Sequence, residues 1–292
     1  MQVLALGFFD GVHLGHAALF KQTKARATAL GASPCVLTFD IHPEQIISKT
    51  SIPLINSTAD RLDLIRRLHG IEQIVVLPFD QALCEMDRLD FIHMLVSRYR
   101  ATHFVVGHDF RFGCHAAGDA AFLRKACANL GLGCDIVEEV TLDGAAVKSS
   151  AIRKLLKSGE LARANQFLGH AHCLTAVVQH GQKRGRTMGT PTINMMPAPN
   201  VLMPARGVYA TRVFLGQSDR AYLSATNVGI RPTIGGVSRE IIETHVLDFT
   251  GNLYGHTIRL EFVQFIRPEI KFCDLDALQA QIQADIQAIR TV

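Results

Sequence analysis

Residues 3–16 read VLALGFFDGVHLGH, and this stretch decides the fold. Its first half is an apolar run of strand length, which passes without a linker into His13-Leu14-Gly15-His16 and an amphipathic helical pattern. A strand that leads directly into a helix is the opening unit of a parallel α/β sheet. Ligands bind at the carboxyl ends of the strands in such sheets, and His13 and His16 would lie there.

The same alternation of strand and helix patterns continues to residue 168. Apolar runs of strand length lie at Val3–Phe9, Cys35–Phe39, Gln73–Pro78, His103–Gly107 and Cys134–Val140. The segments between and after them predict helices over Ala17–Leu30, Ala59–His69, Leu89–Tyr99, Asp119–Leu130 and Ser149–Leu168. The first half is therefore predicted to be a Rossmann-like domain whose parallel sheet is covered by helices on both faces.

After residue 170 Gly and Pro become frequent, and strand patterns follow one another without intervening helices. These strands are predicted at Leu174–Gln179, Gly207–Leu215, Ala221–Val228, Glu243–Asp248 and Thr257–Ile266. Such a pattern indicates a small antiparallel barrel or sandwich, here followed by one amphipathic helix over Leu275–Arg290. We place the domain boundary near residue 170, which gives an α/β domain over 1–170 and an all-β domain over 171–292.

Composition excludes several classes of protein. The 292 residues suffice for two domains at roughly 150 residues each. The formal charge is 30 − 26 = +4 without a block of like charges, so nucleic acid and anionic membranes are not expected partners. No apolar run approaches the roughly 20 residues of a membrane span. The seven cysteines are scattered without a CxxC pair, which favours the reducing cytoplasm.

The two histidines of the opening stretch are the first candidates for chemistry. A helix N-terminus offers unpaired N–H groups and a positive dipole end to a phosphate. Imidazoles three residues apart on the first turn face the same way and can donate hydrogen bonds to phosphate oxygens. Gly15 between them removes a side chain where a nucleotide would approach. The alternatives are two surface histidines or half of a metal site, for which no carboxylate or cysteine stands at a suitable spacing.

A second candidate is the segment Lys148-Ser149-Ser150-Ala151-Ile152-Arg153 at the start of a predicted helix. Ser149 is a good helix N-cap, and capping alone would explain its presence. In the functional interpretation, the hydroxyls and backbone amides bind a triphosphate, and Arg153 neutralises its charge.

A third candidate is residues 180–194, which read HGQKRGRTMGTPTIN. Glycines and cations are also the composition of a basic surface hairpin. As a phosphate-binding loop, the segment would turn backbone amides and cations toward ATP and place a Thr hydroxyl on Mg²⁺. The pattern GxxxxGK[ST] is absent, so this is not a Walker loop. The residues predicted to contact ATP are Gly181, Lys183, Arg186, Gly189 and Thr192.

Over essentially its full length the sequence resembles the bacterial bifunctional riboflavin kinase/FMN adenylyltransferases, often called FAD synthetases. In the first half the resemblance rests on GFFDGVHLGH (7–16), LTFDIHP (37–43), VVGHDFRFG (105–113) with Gly118-Asp119, and SSAIR (149–153). In the second half it rests on PTIN (191–194), NVGIRPT (227–233), ETHVLDF (243–249) and RPEIKF (267–272). Phe8, His108 and Lys148 depart from the residues that are common in the family.

For the first half, the resemblance implies a nucleotidyltransferase domain that adenylylates FMN. His13 and His16 would bind the ATP phosphates and stabilise the transition state of adenylyl transfer. The other ATP contacts that it implies are Gly7, Phe8, Asp10, Gly15, Ser149, Ser150 and Arg153. The flavin contacts that it implies are His42, Pro43, Asp109, Phe110 and Phe112.

For the second half, the resemblance implies a riboflavin kinase module, a six-stranded Greek-key β-barrel with a C-terminal helix. Thr192 and Asn194 would hold Mg²⁺ and phosphate, and Glu243 would be the catalytic base that takes the proton of the riboflavin 5′-hydroxyl. Arg267 and Phe272 would contact the flavin. The alternative for Glu243 is an exposed strand carboxylate.

Together these expectations describe an enzyme that converts riboflavin to FMN and then FMN to FAD, with ATP as the substrate of both steps. Two rival hypotheses stay open. One is a nucleotidyltransferase for another phosphorylated acceptor, which would have no reason to carry a kinase-like second half. The other is a flavin-binding regulator that has lost one or both activities, which the presence of His13, His16, Thr192, Asn194 and Glu243 disfavours.

Overall fold

The computed structural model describes residues 1–180, 190–216, 218, 220–232 and 238–292. These residues form two compact units, one of Met1–Leu54 with Thr58–Ser149 and one of Ile55–Ser57 with Ser150–Val292. Part of the predicted phosphate-binding loop lies outside the described residues, namely Gly181, Lys183, Arg186 and Gly189. The position of the boundary between the two activities, predicted near residue 170, stays a prediction.

The first unit contains the predicted parallel sheet, with strand order β3-β2-β1-β4-β7. Its strands are β1 (Gln2–Leu6), β2 (Ser33–Phe39), β3 (Gln73–Leu77), β4 (Ala101–Gly107) and β7 (Gly133–Val137). The chain runs from β1 outward through β2 and β3 and then returns to place β4 on the other side of β1. This reversal of strand order opens a crevice at the carboxyl ends of β1 and β4, where ligands of doubly wound sheets bind.

The four helices predicted for this unit before residue 149 agree with the structure to within a few residues. The helices of the unit are α1 (Leu14–Leu30), α2 (Glu44–Ile47), α3 (Thr58–His69), α4 (Gln81–Glu85), α5 (Arg88–Tyr99) and α6 (Ala120–Asn129), of which the short α2 and α4 were not predicted. Two small hairpins were not predicted, β5 (Arg111–Phe112) with β6 (Gly118–Asp119) and β8 (Thr141–Leu142) with β9 (Ala145–Ala146), together with a 3₁₀ turn at Cys114–Ala116. Strands of two residues leave no periodicity from which they could be recognised.

The sheet is buried on both faces, as a parallel sheet requires. All four residues from Val3 to Leu6 in β1 are buried. Leu4 and Leu6 belong to one core cluster with residues of β2, β4, α5 and α6. Each large apolar side chain that is buried in this way stabilises the folded state by about 1.5–3 kcal/mol. The packed core therefore holds in place the strand ends from which the loops leave.

The single helix predicted over Ser149–Leu168 is wrong, because the segment forms two helices. These are α7 (Ser149–Ser158) and α8 (Leu161–Leu168), and Gly159 between them has φ +83°. A glycine in the left-handed conformation commonly ends a helix, and the sequence prediction did not use this stop signal. Within the second unit, Asn165 of α8 donates to the Phe262 carbonyl at 3.0 Å and accepts from the His172 amide at 2.8 Å.

The second unit is built around a closed six-stranded barrel, with strand order β10-β11-β14-β13-β12-β15 and β15 paired again with β10. The strands are β10 (His172–Gln179), β11 (Ile193–Met195), β12 (Gly207–Leu215), β13 (Ala221–Pro232), β14 (Ser238–Val246) and β15 (Thr257–Arg267). This confirms the expected barrel followed by a C-terminal helix, Leu275–Ile289. Sequence patterns missed β11, which is only three residues long.

A short segment from the first half of the sequence also belongs to the second unit. Asn56 is fully buried there, and its side-chain amide donates to the Cys173 carbonyl at 3.0 Å. Among the described residues, no helix is long and apolar enough to cross a membrane. All seven cysteines are free thiols.

Candidate active sites

The turn between β1 and α1 has a strained backbone. Phe9 has φ +60°, Gly11 has φ +82° and Val12 has φ +45°. Left-handed conformations of non-glycine residues cost of order 1–3 kcal/mol each and persist where the surroundings over-determine them. The side chains of Phe9 and Val12 are buried, so core packing contributes to holding the turn in this form. The turn delivers His13 to the position before the first residue of α1.

The rings of His13 and His16 stack on one another. Their centroids are 3.6 Å apart and their planes differ by 19°. The ring of Phe9 meets His16 edge-on at 5.2 Å. Burial lowers the pKa of His16 well below its usual value, and the neighbouring His13, Arg61 and His69 lower it further. His16 is therefore neutral near pH 7, and it can donate one hydrogen bond to a phosphate without carrying charge.

The structure shows a local reason for a glycine at position 15, which the sequence did not reveal. A Cβ atom at this position would lie 3.0 Å from Cε1 of His13. The absent side chain thus leaves room for the first imidazole of the stacked pair, in addition to any approach of a nucleotide. Gly7 has a similar function in the turn, since a Cβ atom there would lie 2.8 Å from Cζ of Phe9.

Ser149 is joined to the same turn, although it does not act as the predicted N-cap. It is the first residue of α7, and its hydroxyl donates to the backbone carbonyl of Asp10 at 2.9 Å. Asp10 is buried. Ser150 and Arg153 follow on α7 within the second unit, and their contacts with a nucleotide stay predictions.

Arg61 is a charged group of this region that sequence reasoning missed. It lies on α3, is 0% exposed, and donates from Nη2 to the Phe39 carbonyl at the end of β2 at 2.5 Å. Its Cζ atom lies 4.1 Å from the centroid of the Phe8 ring. Burial lowers the pKa of Arg61 to about 10, while Asp10 and Asp40 act in the opposite direction. Arg61 thus stays protonated at neutral pH.

The predicted flavin contacts of the first unit lie around the same crevice but differ in exposure. The His42 ring meets Phe8 edge-on at 4.7 Å, and Pro43 precedes the first residue of α2. Asp109 follows β4 and is exposed. Phe112 is only 7% exposed and packs against Phe91, Phe110 and Phe122, so its observed contacts are those of a core residue.

Two of the residues that differ from those common in the family, His108 and Lys148, lie near the carboxylate of Glu139. Lys148 forms an ion pair with Glu139 at 2.7 Å, and His108 Nε2 lies 4.0 Å from the same carboxyl group. The Lys148 ammonium lowers the pKa of Glu139. These residues therefore form an exposed charge cluster of the first unit.

On the barrel, strand register brings the predicted kinase residues together. Glu243 of β14 is directly opposite Asn194 of β11 and directly opposite Asn227 of β13. Directly opposed residues of antiparallel strands project to the same face, so the three side chains form a row. Their neighbours Ile242 and Thr244 are buried, which places the row on the face of the barrel wall opposite to the interior. Thr192 precedes Asn194 by two residues, just before β11.

Glu269 extends this row at the Asn227 end. A Cβ atom at Gly229 would lie 2.5 Å from Oε1 of Glu269 and 3.1 Å from Nδ2 of Asn227. Gly229 thus admits the carboxylate close to the strand. Neither Asn227 nor Glu269 was assigned a role from the sequence, because the position of Asn227 beside Glu243 follows from strand pairing and that of Glu269 from its approach to Gly229.

Arg267, predicted to contact the flavin, has a partner within the protein. It forms an ion pair with Asp285 of the C-terminal helix, and its Cζ atom lies 5.9 Å from the centroid of the Phe272 ring. Phe272 follows β15 and precedes the C-terminal helix. The observed geometry joins these residues to the packing of the helix, and their flavin contacts stay predictions.

The predicted Mg²⁺ ligands fit the chemistry of the ion. Thr192 and Asn194 offer a hydroxyl and an amide oxygen, and Mg²⁺ prefers oxygen donors supplemented by substrate phosphates. Within the described ranges, no cluster of three or more His, Cys, Asp and Glu side chains is arranged to hold a metal. The donor set of the barrel therefore suits a Mg²⁺ ion that arrives with a nucleotide.

Two family models divide the chain between them. The model described as FAD synthetase matches residues 1–151, and the model described as Riboflavin kinase matches residues 168–292. The class that this fold and these sites define is thus a two-domain flavin nucleotide transferase, with one transfer site on each domain.

Curated relatives match over nearly the whole chain. One from Pseudomonas fluorescens is 35% identical over 99% of this chain and 92% of its own, and one from Listeria monocytogenes is 34% identical over 99% and 91%. Both are described as bifunctional riboflavin kinase/FMN adenylyltransferases. The chain belongs to this family.

A solved structure from Streptococcus pneumoniae, described as a macrolide-efflux protein, is also similar. It has a TM-score of 0.89 and 28% sequence identity, with coverage of 100% of this chain and 94% of that chain. The likeness extends over both units of the fold.

Proposed function

We propose that the protein makes FAD from riboflavin in two ATP-dependent steps. The barrel transfers the γ-phosphoryl group of ATP to the 5′-hydroxyl of riboflavin, which yields FMN and ADP. The α/β domain then directs the FMN phosphate onto the α-phosphorus of a second ATP, which yields FAD and pyrophosphate. Neither step requires a covalent enzyme intermediate. The protein therefore contributes alignment of the substrates and electrostatic stabilisation of the transition states.

The observation that carries the adenylyl-transfer step is the stacked pair of His13 and His16 at the crevice of the sheet. Imidazole N–H groups at this position would donate to phosphate oxygens as negative charge develops on the α-phosphate. The adjacent N-terminus of α1 adds backbone N–H groups and the positive end of the helix dipole. Ser149, Ser150 and Arg153 are proposed to bind the same nucleotide.

The phosphoryl-transfer step is supported by the register of Asn194, Glu243 and Asn227. Glu243 would accept the proton of the riboflavin hydroxyl as that oxygen attacks phosphorus. A bound Mg²⁺ would neutralise charge on the ATP phosphates, with Thr192 and Asn194 as its protein ligands. The loop residues Gly181, Lys183, Arg186 and Gly189 are proposed, from the sequence alone, to hold the phosphates.

The flavin contacts are proposed to be His42, Pro43, Asp109, Phe110 and Phe112 in the first domain and Arg267 and Phe272 in the second. We place the protein in the cytoplasm, because its free thiols suit a reducing compartment. The match to a riboflavin kinase model disfavours a different phosphorylated acceptor. A regulator without activity would not need the row of polar groups around Glu243.

The test is incubation of the purified protein with riboflavin, ATP and Mg²⁺, followed by chromatographic separation of riboflavin, FMN and FAD. A second reaction starts from FMN and ATP, so that each step is measured separately. FMN and then FAD are expected in the first reaction and FAD in the second. If no flavin is converted in either reaction, the proposal is wrong.

A further inference from the structure

Arg61 is a buried cation whose position is not explained by stability. Its Nε and Nη1 atoms are inaccessible to water and have no hydrogen-bond partner among the described residues, and Nη2 alone is bonded, to the Phe39 carbonyl. A buried charge with unpaired donors is costly, and apolar residues of similar size often replace buried ionic groups without loss of stability. The burial of this charge therefore points to a role beyond packing.

The side chain of Arg61 connects α3, the end of β2 and the turn after β1. It extends from α3 to the Phe39 carbonyl at the end of β2 and to the Phe8 ring in the turn. Asp10 of the same turn interacts electrostatically with the guanidinium. The Phe8 ring and the Asp10 carboxylate lie on either side of Phe9 in the chain, and Phe9 is a strained residue that contacts His16. A planar guanidinium can stack on an aromatic ring while its forked N–H groups bond a carbonyl, a geometry that the compact lysine ammonium does not share.

We propose that Arg61 is a positioning residue for adenylyl transfer, whose guanidinium holds the turn of residues 8–12 in the strained form that delivers His13 and His16 to the nucleotide. This inference rests on the proposed function of that site. The charge of Arg61 has a second effect. A cation near His16 disfavours protonation of its imidazole and so lowers the pKa of that ring. The charged and titratable groups that influence His16 are His13 before α1 and Arg61 and His69 of α3, and Asp10 in turn faces Arg61.

The test compares three variants of the full-length chain. Arg61→Met removes the charge, Arg61→Lys keeps the charge without the planar fork, and Arg66→Met removes an exposed charge from the same helix as a control. The rate of FMN adenylylation, the KM values for ATP and FMN, and riboflavin phosphorylation are measured for each. The pKa of the His16 ring is followed by NMR, which requires no turnover.

Arg61→Met is expected to lower kcat for FMN adenylylation by about 10–100-fold, as loss of alignment does, with smaller changes in KM. Riboflavin phosphorylation should change by less than about twofold, since it takes place on the barrel. The pKa of His16 should rise in Arg61→Met and stay in place in Arg61→Lys, whereas kcat should fall in both. Arg66→Met should resemble the wild type in every measurement.

A wild-type kcat in either Arg61 variant overturns the proposal, as does an equal loss of both activities in Arg61→Met. If Arg61→Met does not fold, Arg61→Lys decides: a reduced kcat with an unmoved His16 pKa supports positioning, and an unchanged kcat excludes it. Failure of the wild type itself to adenylylate FMN would instead refute the proposed function. The two failures are therefore distinguishable.

Discussion

Arg267 of β15 and Asp285 of the C-terminal helix form a bidentate ion pair, with Nη2–Oδ2 at 2.7 Å and Nε–Oδ1 at 2.9 Å. The side chains are 18% and 7% exposed. A second pair, Arg290 with Asp248, joins the far end of the same helix to the segment after β14 but is open to solvent. The two pairs allow buried and exposed electrostatics to be compared on one helix.

Asp285→Ala should destabilise the barrel unit by about 3 kcal/mol, because it leaves the largely buried guanidinium of Arg267 without its partner. Arg290→Met should destabilise the unit much less than Asp285→Ala, since exposed pairs are screened by water. Thermal unfolding of both variants measures the difference. If Asp285→Ala keeps the wild-type Tm and only raises KM for riboflavin, Arg267 acts on the flavin and not on the helix.

His16→Ala should slow conversion of FMN to FAD by a factor of about 10² or more, since it removes a donor to the developing charge on the α-phosphate. Riboflavin phosphorylation by the same variant should be nearly unchanged and serves as an internal control. His93→Ala, which alters an exposed histidine of α5, is the matched control. Wild-type adenylylation by His16→Ala would remove this residue from the mechanism.

Glu243→Gln should have the opposite phenotype. The amide keeps the shape of the side chain but cannot take the hydroxyl proton, and general-base assistance is worth about 10²–10⁴-fold. FMN supplied from outside should still become FAD. Glu240→Gln, which alters an exposed carboxylate on the same strand, should phosphorylate riboflavin normally. A wild-type rate for Glu243→Gln would leave Glu243 a structural role alone.

Stability should fall as the solution is acidified, because of His172. This residue is fully buried, its two ring nitrogens have no hydrogen-bond partner among the described residues, and burial lowers its pKa to about 3. An unfolded chain takes up a proton near pH 6.5, whereas the folded chain does so only near pH 3. The free energy of unfolding therefore decreases as pH falls from about 6.5 to 3, by about 1.4 kcal/mol per unit.

His172→Leu should remove this part of the acid sensitivity, which amounts to about 2 kcal/mol between pH 7 and pH 5. Urea unfolding of the barrel unit at both pH values measures it. His256→Gln, which alters an exposed histidine, should keep the wild-type pH dependence. An equally steep decline in His172→Leu would show that another group binds the proton.

A fragment of residues 150–292 should be more stable than one of residues 171–292. The longer fragment keeps α8, whose Asn165 bonds both the Phe262 carbonyl and the His172 amide. Both fragments should phosphorylate riboflavin if the kinase site lies on the barrel alone. Thermal unfolding and the kinase assay of each fragment check the prediction. An inactive barrel in both cases would show that the two activities do not separate at either position.

Much of the fold follows from local patterns. The strand and helix alternation of the first half predicted the parallel sheet, because buried strands and amphipathic helices leave long, distinct signatures. The break at Gly159 was missed because the apolar pattern continues across it, and β11 was missed because three residues carry no period. These elements depend on backbone conformation and tertiary pairing more than on composition.

Some residues of the candidate sites could likewise be predicted from local patterns, and others could not. His13 and His16 could be found because they stand at a strand-to-helix junction, which sequence patterns locate well. Arg61 could not, since its place on the helical face of Leu64 and Ile65 became meaningful only once that face was known to be buried around a charge. Asn227 joins Glu243 only through strand register, which is set by the closed barrel.

The bond between Asn56 and the Cys173 carbonyl has a consequence for synthesis on the ribosome. The two residues are 117 positions apart, yet both belong to the second unit. At translation rates of about 5–20 residues per second, the Asn56 amide waits about 6–23 s for its acceptor to be made. The second unit therefore includes a segment that is translated long before the first strand of its barrel.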